Sequence, residues 1–171
     1  MVQRAHSMPF GTEIMSDGAL GFRLWAPAAQ RVDVCLQSAA SEKLLPMQLQ
    51  KGGWFSLTTR EAAAGAHYCF VVDGTMRVPD PASRYQPQDV HGPSEVIDPR
   101  AWQWTDADWR GRPWEEAVFY ELHVGSFTAQ GGFSGVAERL DHLVDLGVTA
   151  IELMPVADFP GTRNWGYDGV L

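Results

Sequence analysis

Long apolar runs are missing from this chain. None approaches the roughly 20 residues that a membrane-spanning helix needs, so no membrane partner is expected. Met1–Pro9 has no apolar core of the kind a secretory leader carries, which points to a cytoplasmic location. Positive charge is scarce: 13 Lys and Arg against 21 Asp and Glu give a formal net charge of −8. A nucleic-acid partner needs a clustered basic surface, and none is visible. Cysteine is nearly absent as well. Cys35 and Cys69 lie inside strand-like runs with no metal-ligand spacing, which reads as buried free thiols in a reducing compartment. No two-His-plus-carboxylate cluster appears for a catalytic metal. Gly131-Gly132 lacks the Lys and the spacing of a phosphate loop. Neither a metal nor another cofactor is expected.

What is present describes a folded protein. Hydrophobic residues make up 45% and charged residues 20% of 171, enough for one ordinary domain or a small domain plus a piece of another. Seven tryptophans are a richer hint, since flat aromatic faces can hold sugar rings as well as fill cores.

Two textures divide the chain. Up to Asp98 the pattern has period two. Phe22 and Leu24 lie in one run, closed by Ala26-Pro27. Val32, Val34 and Leu36 alternate against Arg31, Asp33 and Cys35, and Leu45, Met47 and Leu49 alternate likewise. Gly52-Gly53 breaks the chain before Trp54–Leu57. Tyr68–Val72 meets Asp73-Gly74, a two-residue hairpin signal, and resumes at Thr75–Val78. Short strands with frequent turns predict an all-β immunoglobulin-like sandwich over residues 1–98. Within it, Pro79–Pro99 is too rich in Pro, Asp and Gly for a ladder and reads as an ordered strap or a linker. Residues 99–115 form a Trp-rich linker, expected to pack between two domains.

From residue 116 the period changes. Ala117–Val124 is a nearly continuous apolar run, as in a strand buried on both faces. Ser134 can cap a helix through Leu146, with Val136, Leu140, Leu143 and Val144 on one side and Gly147 ending it. Val148–Met154 is a second strand, stopped by Pro155. One β-α-β unit cannot cover both faces of its own strands, so residues 116–171 read as the start of a larger α/β domain.

Several segments resemble a known family. Phe22-Arg23-Leu24-Trp25-Ala26-Pro27 is similar to the first strand of the starch-binding-type sandwich ahead of α-amylase-clan barrels. Tyr120–Thr128 (YELHVGSFT) and Gly147–Pro155 (GVTAIELMP) resemble the clan's first and second barrel strands. Val78–Pro87 (VPDPASRYQP) with Asp89–Ser94, and Pro155–Val170 (PVADFPGTRNWGYDGV), resemble maltooligosyltrehalose trehalohydrolases in particular. The likeness runs from about Met8 to Leu171.

The resemblance implies a sandwich followed by a (β/α)8 TIM barrel, of which this chain holds an incomplete part. It implies hydrolysis of the α-1,4 bond next to the terminal trehalose of maltooligosyltrehalose, with α-glucan as partner. The clan retains configuration, using an Asp nucleophile and a Glu acid/base about 5–5.5 Å apart. Those acids come from the fourth and fifth barrel strands, so no catalytic residue is expected among these 171, and the remaining barrel becomes a required partner. The alternatives are a glycogen branching or debranching enzyme, against which Asp158–Gly161 and Arg163-Asn164 tell, and a stand-alone α-glucan-binding module.

Tyr167 is the leading site candidate, because the clan's tyrosine here stacks on the sugar while its hydroxyl reaches a carboxylate; its plainer role is loop packing. Trp165 and Asp168 share its loop as positional candidates. Asn164 and Arg163 either donate to sugar hydroxyls or hold the loop. Glu121 and Glu152 tempt as an acid pair, yet they precede the loop-bearing ends of their strands, and pairing with a structural cation is expected instead. His123 reads as a satisfied core group. Trp25 and Trp54 are expected to fill the sandwich core, with a glycan-stacking face as the alternative.

Overall fold

The period-two segments fold as short strands in two antiparallel sheets. The computed structural model describes residues 10–170. The first nine residues, read above for a leader, and Leu171 lie outside them. The chain forms two compact units: one reaches to Trp104 and includes Asp158–Gly161, the other comprises Thr105–Ala157 and Thr162–Val170.

In the first unit, β1 (Glu13–Ile14), β2 (Leu20–Trp25), β6 (Trp54–Thr59) and β5 (Gln48–Leu49) make one sheet, in the order β1-β2-β6-β5. The second sheet runs β4 (Glu42–Pro46), β3 (Val32–Gln37), β7 (His67–Val72), β8 (Met76–Val78), with β9 (Ser94–Glu95) also on β7. Leu20, Phe22, Leu24 and Phe55 from one sheet meet Val32, Val34, Tyr68 and Phe70 from the other in a single core. Phe22 and Phe70 both pack edge-on against Tyr68, at 5.1 and 5.9 Å between ring centroids. Asp73 and Gly74, at φ 49° and 75°, make the hairpin turn between β7 and β8.

Two expectations change here. Leu45, Met47 and Leu49 do not share one strand: the chain leaves one sheet at Pro46 and joins the other at Gln48. Leu45 and Met47 therefore reach the core, while Leu49 is exposed. Trp25 and Trp54 do not fill the core. With Phe22 and Leu24 inward on β2, and Phe55 and Leu57 inward on β6, parity turns Trp25 and Trp54 outward as cross-strand partners. Trp25 is 59% exposed. The far side of β3 is closed as well. Asp33 is buried with an ion pair from Arg31 (Nε–Oδ2 2.8 Å), and Cys35 faces Cys69 across the register, both free thiols.

The strap from Pro79 folds back as an ordered segment. Asp80 is buried, accepting from the Tyr68 hydroxyl (2.7 Å) and the Ala82 amide (2.8 Å), and its own amide donates to Ser94 Oγ. Arg84 donates to the carbonyls of Thr12 and Phe10. Trp102, Trp104, Trp109 and Trp114 are all more than half exposed.

In the second unit β10 (Phe119–Leu122) and β11 (Ala150–Leu153) pair in parallel, Phe119 opposite Ala150 and Leu122 opposite Leu153. Between them lie α1 (Val124–Phe127), α2 (Phe133–Ala137) and α3 (Leu140–Asp145). The apolar run to Val124 thus yields a shorter strand, because Val124 already turns into α1. The single helix expected from Ser134 is two: Arg139, at φ −105° and ψ 6°, interrupts the helical geometry, and Ser134 lies inside α2. Gly147 closes the segment as expected, at φ 89°, with the Val148 amide donating back to Leu143. Only one face of the strand pair is covered. Leu122, Val136 and Leu143 are buried together, whereas Phe119, Leu140 and Val144 stay exposed.

Candidate functional site

On the uncovered face of the parallel pair, Glu121 and Glu152 sit opposite each other in register. The segment after β11 returns over the ends of the strands. The Tyr167 hydroxyl donates to Glu121 Oε1 at 3.3 Å. The negative charge of Glu121 and that hydrogen bond raise the Tyr167 phenol above its ordinary pKa, with smaller contributions from desolvation and Glu152. Among the described residues neither glutamate forms an ion pair with a cation, contrary to expectation; the tyrosine takes that place for Glu121.

Asn164 shapes the loop. Its Oδ1 accepts from the Gly166 amide and lies 3.4 Å from His123 Nε2. His123 is half-buried and its Nδ1 has no hydrogen-bond partner among the described residues, so it is less satisfied than the sequence led one to expect. Gly166 permits the turn. At φ 99°, a Cβ there would meet Met154 Cε at 2.3 Å and His123 Cδ2 at 3.2 Å. Asp168 accepts the Trp165 amide (3.1 Å), which leaves the Trp165 ring 88% exposed and Tyr167 67% exposed.

The four candidates therefore divide. Tyr167 meets a carboxylate at the strand ends, and its ring is exposed. Asn164 and Asp168 hold the loop, which for Asn164 is the plainer of its two readings. Trp165 is presented outward and meets none of the others by its side chain. Glu121 as the hydroxyl's acceptor, and Gly166 as the loop's permissive position, were missed. Parity along β10 could have placed Glu121 on the face opposite Leu122. Among the described residues no group of three His, Cys, Asp or Glu side chains could hold a metal ion, and no helix is long and apolar enough to cross a membrane.

A sandwich of this topology, preceding a parallel unit with a sugar-compatible aromatic loop, belongs to a recognisable class. Residues 9–99 match carbohydrate-binding module 48 (isoamylase N-terminal domain), and the chain belongs to that family. Beyond the module, it resembles the N-terminal portion of α-amylase-family enzymes, the malto-oligosyltrehalose trehalohydrolases above all. It is 44% identical over 163 residues to the trehalohydrolase of Saccharolobus solfataricus, covering 95% of this chain and 28% of that protein. A 1,4-alpha-glucan branching enzyme of Xanthomonas oryzae is 34% identical over 172 residues, covering 88% and 23%. Among solved structures, a Salmonella typhimurium protein assigned as an α-amylase superposes with a TM-score of 0.88 at 45% identity, covering 96% and 28%. The chain spans about a quarter of the length of the curated relatives it matches.

Proposed function

We propose that these residues are the N-terminal part of a retaining α-glycosidase that hydrolyses the α-1,4 bond next to the terminal trehalose of maltooligosyltrehalose and releases trehalose. In this reading residues 116–171 supply the first β-α-β unit of a (β/α)8 barrel, whose chemistry lies at the C-terminal strand ends. The observation that carries it is Tyr167, held by its hydroxyl on Glu121 at that end of the strand pair with its ring free. Its face suits the apolar side of a glucose ring. The raised phenol keeps its proton at neutral pH and so stays a donor to a carboxylate.

The acid pair is assigned to later strands, so the 171 residues alone turn over no substrate. Buried free Cys35 and Cys69 accord with a reducing cytoplasm. The test is the complete enzyme containing these residues, incubated with maltooligosyltrehalose while trehalose is measured. Trehalose release that Tyr167→Ala lowers by about tenfold or more supports the reading. Formation of branched glucan without trehalose would assign a branching enzyme instead, the second reading that the Xanthomonas oryzae likeness favours.

A further inference from the structure

His123 has no part in the reaction proposed above, yet it touches the loop that carries Tyr167. It follows β10 directly, on the same strand end as Glu121. Two glycines flank its ring. A Cβ at Gly125 would meet Cε1 at 3.0 Å and Nδ1 at 3.3 Å, and one at Gly166 would meet Cδ2 at 3.2 Å. One edge of the imidazole therefore lies over the start of α1. The other edge, which carries Nε2, faces the loop after β11, where Nε2 lies 3.4 Å from Asn164 Oδ1.

The direction of that hydrogen bond follows from Asn164. Its Oδ1 already accepts the Gly166 amide, so this atom is the carbonyl oxygen, with a second lone pair to offer. His123 must therefore donate to it from Nε2–H. In a neutral imidazole that tautomer leaves Nδ1 a bare acceptor, and Nδ1 is the buried atom with no partner among the described residues. An unpaired buried acceptor is unfavourable, and an apolar ring would fill the same space without one. The Nε2–H donor is what distinguishes histidine at this position.

The contact bears on Tyr167. Its hydroxyl is seated on Glu121, but a ring held only there can swing about that oxygen. Its other end is fixed by the buried backbone of Gly166, which Asn164 pins. We propose that His123 is a positioning residue for Tyr167: by donating Nε2–H to Asn164 it holds the Gly166 turn and so the backbone end of the tyrosine, while Glu121 holds the hydroxyl end. Both anchors come from the end of one strand, so the ring keeps its geometry relative to that strand. A displacement of about 1 Å at a reacting centre can cost about a hundredfold in rate. The inference rests on the role proposed for Tyr167 and not on which glucan product is released.

The test is a double-mutant cycle in the complete enzyme, reading kcat and KM for trehalose release from maltooligosyltrehalose. His123→Ala should lower kcat about tenfold and change KM by less than about twofold, because orientation is lost rather than attachment. His123→Gln, whose amide N–H can stand in for Nε2–H, should recover kcat to within about threefold of wild type. In a Tyr167→Ala background His123→Ala should lower kcat by no more than about a further twofold, since its effect passes through that ring. A loss of about tenfold that persists in that background would overturn the proposal, as would an unchanged kcat in His123→Ala or a Gln variant as slow as the Ala one. If His123→Ala does not fold, Asn164→Ala takes its place in the cycle and decides by the same criterion. A wild-type enzyme that forms branched glucan without trehalose would remove the trehalohydrolase reading, and the cycle measured on branching would still test His123.

Discussion

The two halves of this chain bury their strands differently. In the sandwich, β3 has Val32 and Val34 beneath it and an Arg31–Asp33 ion pair beside buried Cys35 on its other side, so both of its faces are closed. In the parallel unit, β10 buries Leu122 against Val136 and Leu143, while Phe119 on its other face stays open. The sandwich completes its core from within its own sequence. The parallel pair does not, because three short helices over one face leave the other to water, and parallel sheets are stable when covered on both. Cooperative stability should follow that division.

Hydrogen exchange offers the largest test of the contrast. Amides of β3 and β7 should exchange at least about a hundredfold more slowly than those of β10 and β11, and limited proteolysis should cut within residues 116–170 first. Equal protection in the two units would break the comparison.

A core truncation comes next. Phe70 is fully buried, so Phe70→Ala should cost about 3–5 kcal/mol in urea unfolding of the sandwich. A loss below about 1 kcal/mol would mean that the two sheets do not share one core.

Tyr68→Phe sharpens the same comparison through a single hydrogen bond. It deprives buried Asp80 of the hydroxyl and should cost about 1–3 kcal/mol. Asp80 also links the sandwich to pH. Burial raises its pKa above the ordinary carboxyl value of 3.8, opposed by hydrogen bonds from Tyr68 and Ala82. A raised folded-state pKa favours the folded protein below the unfolded value, and that contribution is lost as pH rises from 3.8 through the folded value. Asp80→Asn should flatten this slope in unfolding curves measured from pH 3 to 7; an unchanged slope would remove Asp80 as its source. The smallest effect belongs to the open unit. Val144 is 68% exposed, so Val144→Ser should change stability by less than about 0.5 kcal/mol, checked by thermal melting.

Much of the sandwich was legible. Val32, Val34 and Leu36 carry a period that only a strand uses, and Asp73-Gly74 names its own turn. The positions misjudged were tryptophans. Residue type alone places Trp25 in the core, although Phe22 and Leu24 already set the parity that turns it outward. The split of 134–146 at Arg139 left no mark in the apolar pattern, since Val136 and Leu143 keep their helical spacing across the break. Of the site, Tyr167 stood out through family resemblance, but its partner did not. Glu121 lies 46 residues away, and only the parallel register and the returning loop bring the two together.

By itself the sequence determined the alternation of strands, the left-handed closure at Gly147 and the kinship with carbohydrate-binding module 48 and the trehalohydrolases. Each is carried by local backbone preference or by contiguous residues. The tertiary structure alone decided the crossing of the chain between sheets at Met47 and the seat of the Tyr167 hydroxyl on Glu121. These depend on which distant segments meet, and packing settles that where local propensity does not.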